Sequence, residues 1–162
     1  SSFVSASSIS QNLYWELYQS QAFVLSSDEV FGFTSFRLSG FIEGQGPAQI
    51  YLENDRGEML LVYTNIKEKT GAGDLVTGFA SDDGQANQDV SSSFTFVQDG
   101  VLPELNLEIP EDYVLIEGSF YDECSETCFI DSVFYQDTNY RLVFYIGENV
   151  GLRANKLVYT KN

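Results

Sequence analysis

The chain has 162 residues, the size of a single domain, with 43% hydrophobic and 20% charged residues, which excludes a wholly disordered polymer. Its 24 Asp and Glu against 8 Lys and Arg give a net charge of −16, so phosphate backbones and anionic bilayers are repelled and nucleic-acid binding is not expected. Histidine is absent, which removes Ser-His-Asp and Cys-His nucleophiles and every His-ligated metal site.

The chain opens Ser1-Ser2-Phe3-Val4 with Met59 as its only methionine, which reads as a mature start left by removal of a signal peptide. No apolar run approaches the ~18 residues of a membrane-spanning helix, so no membrane insertion is expected. Residues 1–15 carry no charge, no Gly and no Pro. Phe3, Ser5, Ser7 and Ile9 alternate with Val4, Ala6 and Ser8, the period of an extended strand. A neutral, β-competent strand left bare pairs with any available sheet edge, so something must cover this one. Two readings follow: it is the first strand of its own sheet, or it crosses into a neighbouring copy and completes that sheet. The second divides the chain into an arm, residues 1–12, and a sandwich, residues 13–162. Phe3, Val4, Ala6 and Ile9 are then the knobs of the arm, with Leu13 and Trp15 continuing it.

Beyond the arm the residue preference is for β structure, with 13 Phe, 10 Tyr and 13 Gly as punctuation. Residues 33–43 and 48–54 flank Gly44-Gln45-Gly46-Pro47, the signature of a hairpin. Asn54-Asp55-Arg56-Gly57 leads into residues 58–63 as a second hairpin. Residues 65–74 and 81–93 are looser, and 68–73 could make one helical turn. Gln98-Asp99-Gly100 is expected to close a strand over 92–97. Leu105, Leu107 and Ile109 alternate with polar neighbours, and Pro110-Glu111-Asp112 turns into a strand over 113–120. Near the C-terminus, Leu142, Phe144 and Ile146 alternate with Arg141, Val143 and Tyr145, and Gly147-Glu148-Asn149 joins this strand to residues 150–160. The pattern predicts an all-β protein: a two-sheet antiparallel sandwich, jelly-roll-like, of about nine to eleven strands.

Cys124 and Cys128 lie among Glu123 and Glu126, acids that disfavour a reactive thiolate, and no second Cys pair completes a metal knuckle. In an exported chain they are expected to form a structural disulfide. Asp82, Asp83, Asn87 and Asp89 could supply several of the oxygens calcium requires, though without EF-hand spacing. Asp122, Glu123, Glu126 and Asp131 form a weaker acidic cluster. Calcium is thus the one cofactor for which the sequence offers ligands, and none is required. Paired carboxylates suited to glycoside hydrolysis carry little weight among 24 acids, and no enzymatic activity is expected. Tyr14, Trp15, Tyr18, Tyr135, Tyr140 and Tyr145 could stack on sugars, pack the sheets or anchor a subunit contact.

The run Phe36-Arg37-Leu38-Ser39-Gly40-Phe41-Ile42-Glu43-Gly44-Gln45-Gly46-Pro47-Ala48-Gln49-Ile50-Tyr51-Leu52 resembles accessory β-sandwich domains of archaeal cell-surface proteins. So does Cys124 to Cys128 followed by Tyr140-Arg141-Leu142-Val143-Phe144-Tyr145-Ile146 and Leu157-Val158-Tyr159. The resemblance implies an extracellular, jelly-roll-like and often non-catalytic domain, an architecture shared by archaeal filament subunits joined through donated strands. The expectation is a secreted subunit of a pilus-like thread, a homopolymer in which each copy lends its N-terminal strand to the next. The alternative is an extracellular carbohydrate-binding or adhesion module whose partner is a glycan, with calcium as a helper.

Overall fold

A computed structural model describes residues 7–69, 95–102, 108–131, 133–134 and 137–161. Among them there is no helix; eleven strands run antiparallel throughout. They are β1 (Ser7–Leu17), β2 (Gln21–Phe31), β3 (Phe33–Gly44), β4 (Ala48–Glu53), β5 (Met59–Thr64) and β6 (Ile66–Glu68), then β7 (Thr95–Val101), β8 (Tyr113–Leu115), β9 (Gly118–Glu123), β10 (Asp137–Ile146) and β11 (Val150–Lys161). One sheet has the order β1-β11-β3-β9, the second β5-β4-β10-β2-β7, and β6 pairs with β8 alone.

The two sheets face each other over one core, and the period of two in the sequence decides which residues enter it. Ile9 and Leu17 of β1, Phe36, Leu38 and Ile42 of β3, and Leu152, Leu157 and Tyr159 of β11 point inward from the first sheet. Ile50 and Leu52 of β4 meet them from the second, with Leu142, Phe144 and Ile146 of β10. Aromatic contacts bridge the layers: the Trp15 ring stacks on Phe23 at 4.0 Å, and Phe33 meets Tyr140 edge-on at 4.9 Å. Such pairs add about 0.5–1.5 kcal/mol each beyond the area they bury.

Of the expected N-terminal arm, the described residues begin at Ser7. β1 continues past the anticipated boundary at residue 12 and pairs with β11 of the same chain, from Ser7 opposite Lys161 to Leu17 opposite Leu152, with a bulge between Asn12 and Trp15. Ile9 is 1% exposed, and Leu13 and Trp15 pack against the chain's own core. The physical reason is local: these apolar side chains fit a core their own chain supplies, and the C-terminal strand offers a matching ladder without a second molecule. Phe3, Val4 and Ala6 lie outside the described residues.

The turns differ in what they join. Asn54-Asp55-Arg56-Gly57 closes a true hairpin, β4 with β5. Gly44-Gln45-Gly46-Pro47 does not: β3 and β4 belong to different sheets, so this turn is a corner between layers. It presses against the corner joining β10 to β11, where Gln45 N–H donates to the Asn149 carbonyl at 3.0 Å and Gly147 N–H to that of Pro47 at 2.9 Å. A Cβ on Gly46 would strike the Glu148 carbonyl oxygen, which is why the position has no side chain. Gln98-Asp99-Gly100 lies within β7, which bulges against β2, so it ends no strand. The expected strand over 113–120 is divided between β8 and β9 at residues 116–117.

Candidate functional site

An open concavity lies where the β1–β2 turn meets the β10–β11 corner. Leu17 is buried and ends β1 in the core. Ser20, 3% exposed, accepts from the Ile146 N–H at 2.8 Å and donates to the Ile146 carbonyl at 3.2 Å, while its own carbonyl accepts from Leu102 N–H at 3.0 Å. Buried Leu17 and these Ser20 bonds fix the two ends of the turn, with Tyr18 and Gln19 between them, both exposed. The result is an open hollow of about 530 Å³, with Tyr18 and Gln19 on one side, Leu102 beneath, and Gly147, Glu148 and Asn149 opposite.

Tyr18 also belongs to a shallow groove on the outer face of the first sheet. Its ring lies against Gly151, so close that a Cβ there would be 2.8 Å from Cε1. Sheet register sets the remaining members. Glu16, Arg153 and Phe41 form one row across β1, β11 and β3, and Gly151 and Glu43 stand opposite each other in the next. The Arg153 guanidinium sits 5.7 Å from the Phe41 ring centroid, with its Nε 3.7 Å from the Glu16 carboxylate. An aromatic ring 69% exposed is thus flanked by a guanidinium donor, carboxylate acceptors and the polar turn of the hollow.

The other sequence candidates are dispersed. Trp15 and Tyr140 belong to the core, and Tyr145 is half-buried on the outer face of the second sheet, edge-on to Tyr51 at 5.8 Å. Tyr14 is 73% exposed on β1, and Tyr135 falls outside the described residues. So do Asp82, Asp83, Asn87 and Asp89, the proposed calcium ligands. Among the described residues no three acidic side chains gather to hold a metal. In the second acidic cluster, Glu126 accepts from Leu61 N–H at 2.7 Å and the Asp122 N–H donates to Ser39 Oγ at 2.9 Å.

Cys124 and Cys128 are joined, as expected. The loop they tie spans the sandwich: Ser125 and Glu126 N–H groups donate to Val62 and Leu61 of β5, while the buried Thr127 exchanges bonds with Phe36 of β3. Burial pushes the nearby Tyr63 hydroxyl up to about 12, with the Glu123 charge adding to the effect.

Gly151, Arg153, Phe41 and Glu43 were not singled out in the sequence. They lie on two strands more than a hundred residues apart, and only the β3–β11 register brings them to Tyr18. No protein-family model, curated protein or solved structure matches the chain.

Proposed function

We propose that the chain is a secreted, non-catalytic β-sandwich module that binds a neutral carbohydrate at the cell surface, of the kind the resemblance to archaeal surface domains implies. The observation that carries this reading is Tyr18. Its exposed ring lies on a glycine at the mouth of a hollow, with Arg153, Glu16, Glu43 and Gln19 around it. A sugar has an apolar C–H face for a ring and a hydroxyl rim for carboxylates, amides and guanidinium. The hollow falls within the ~300–1,000 Å³ range of ligand pockets. The net charge of −16 disfavours anionic glycans and leaves neutral ones unopposed.

The disulfide supports an oxidising compartment. Among the described residues no helix is long and apolar enough to cross a membrane. Strand order supports the jelly-roll form of the sandwich: the first and last strands pair, and β1 to β4 alternate between sheets. Filament formation by strand donation is not advanced, because Ile9, Leu13 and Trp15 already fill this chain's own core.

The test is a glycan array with the intact chain and with Tyr18→Ala and Arg153→Ala, each with calcium and with chelator. Binding to neutral glycans, lost in Tyr18→Ala while the thermal midpoint is kept, is the expected result. An array without signal, or one that Tyr18→Ala leaves unchanged, would overturn the reading. Chelator sensitivity would add Asp82, Asp83, Asn87 and Asp89 to the site as calcium ligands.

A further inference from the structure

The outer face of the first sheet continues beyond the groove around Tyr18, and alternation fixes which residues stand on it. Leu152 is buried, so Gly151 and Arg153 of β11 point outward; Ile42 is buried, so Phe41 and Glu43 of β3 do the same. On β9 the Phe120 ring is 3% exposed, stacks on Tyr63 in the core, and fills the space a Cβ on Gly40 would take. Its neighbours Ser119 and Tyr121 therefore turn outward, and Tyr121 is 66% exposed. Register then sets three aromatic rings in a line. The Tyr18 ring lies over Gly151, which is opposite Glu43. Phe41 is two residues along β3 and opposite Ser119, and Tyr121 is two residues along β9. Each step from ring to ring thus moves one strand across and two residues along. With strands ~4.8 Å apart and ~3.4 Å per residue, a step is about 8 Å and the whole line about 17 Å.

We infer that this diagonal is the platform for a linear, neutral oligosaccharide of about three to four linked pyranoses, so that the ligand is a polysaccharide chain and not a single sugar. The inference rests on the carbohydrate reading of Tyr18 and extends it to Tyr121, at the far edge of the sheet. One ring is enough to cover one pyranose; three rings in line, each a step beyond the last, match a chain. Both end rings are open to solvent, Tyr18 at 69% and Tyr121 at 66%, so neither is occupied by the chain's own packing. The groups between them suit hydroxyls. Ser119 is exposed opposite Phe41, and Glu43 stands in the row of Gly151. Arg153, the cation on the line, already has the Glu16 carboxylate 3.7 Å from its Nε and the Phe41 ring beneath it. Its charge is offset within the groove, which leaves its N–H groups to donate to sugar oxygens without selecting sulfate or uronate.

Calorimetric titration with gluco-, manno- and xylo-oligosaccharides of one to eight residues tests this. Affinity for the series that binds should rise with length up to about four residues and then level off. Tyr121→Ala should lower affinity for the hexasaccharide about fivefold, the loss of one stacked ring, and leave that for the disaccharide unchanged. Tyr18→Ala should lower both. Tyr14→Ala removes a ring at least as exposed but off the line, and should alter neither. A disaccharide that binds as tightly as the hexasaccharide, or a hexasaccharide indifferent to Tyr121→Ala, would overturn the extended platform while keeping Tyr18 as a sugar site. No binding at any length would overturn both.

Discussion

Asn65 is fully buried, and its side chain is the bracket that holds the β3–β4 corner in place. Its Oδ1 accepts from Ala48 N–H at 2.8 Å, and its Nδ2 donates to the Gly46 carbonyl at 2.8 Å. Its backbone accepts from Ile116 N–H and donates to the Ala48 carbonyl, so the residue is hydrogen-bonded on every side. Asn65→Ala removes both side-chain bonds and leaves a buried donor and a buried acceptor without partners, at about 1–3 kcal/mol each. The expected loss is therefore about 2–6 kcal/mol, a large share of the roughly 5–15 kcal/mol that stabilises a domain. At about 2–4 °C per kcal/mol for a chain of this size, the thermal midpoint should fall by about 4–24 °C. The effect should reach the hollow, because the corner that Asn65 holds is bonded through Pro47 to Gly147 in its wall. Differential scanning calorimetry gives the midpoint, and hydrogen exchange at Gly147 reports the wall. A fall of less than about 2 °C would refute the reasoning, since the freed groups would then have found other partners.

Other perturbations have definite signs. Tyr63 ionises near 12 in the folded chain and near the usual 10 when unfolded, so between those values the unfolded state loses the proton first. Its contribution to stability is whole below pH 10 and is lost as the pH rises to 12; thermal melts across that window should show Tyr63→Phe resisting the decline. Reducing the Cys124–Cys128 bond, or Cys124→Ser with Cys128→Ser, frees a very short loop, for which chain entropy gives about 2 kcal/mol. Exchange at the Phe36 and Leu61 amides, both bonded to that loop, should accelerate more than exchange in β10. Tyr14 has a φ of 55° and is 73% exposed, so its backbone is in a region that favours glycine while its ring buries little. Tyr14→Gly should therefore be neutral or stabilising by up to about 1 kcal/mol in a urea melt, and clear destabilisation would mean the ring packs more than its exposure indicates.

Much of the architecture was legible because strands announce themselves by alternation. Residues 48–54 and 140–146 show one apolar face each, and these become β4 and β10, paired with Leu52 opposite Leu142. The Cys pair was legible for a chemical reason, the acids beside it. Corners were not, because a Gly-Pro turn within one sheet and one between two sheets use the same residues. What distinguishes them here is the approach of Gly46 to Glu148, a contact between segments a hundred residues apart. The binding groove was hidden for the same reason. Tyr18 could be named from its residue type, but Gly151, Phe41 and Arg153 become its neighbours only through the pairing of β11 with both β1 and β3.

The N-terminal stretch shows how a need for pairing can be met within one chain. An uncharged strand does need pairing. One edge of β1 is taken by β11, which closes the sandwich by joining the first strand to the last. That closure uses the apolar side chains, since Ile9 and Leu17 point inward and are covered. It does not account for the missing charges, because Ser8, Ser10 and Asn12 alternate with the inward residues and could have been Lys or Glu without entering the core. The inward side chains of β1 are thus explained by its own fold, while the polar ones between them are set by nothing the core requires.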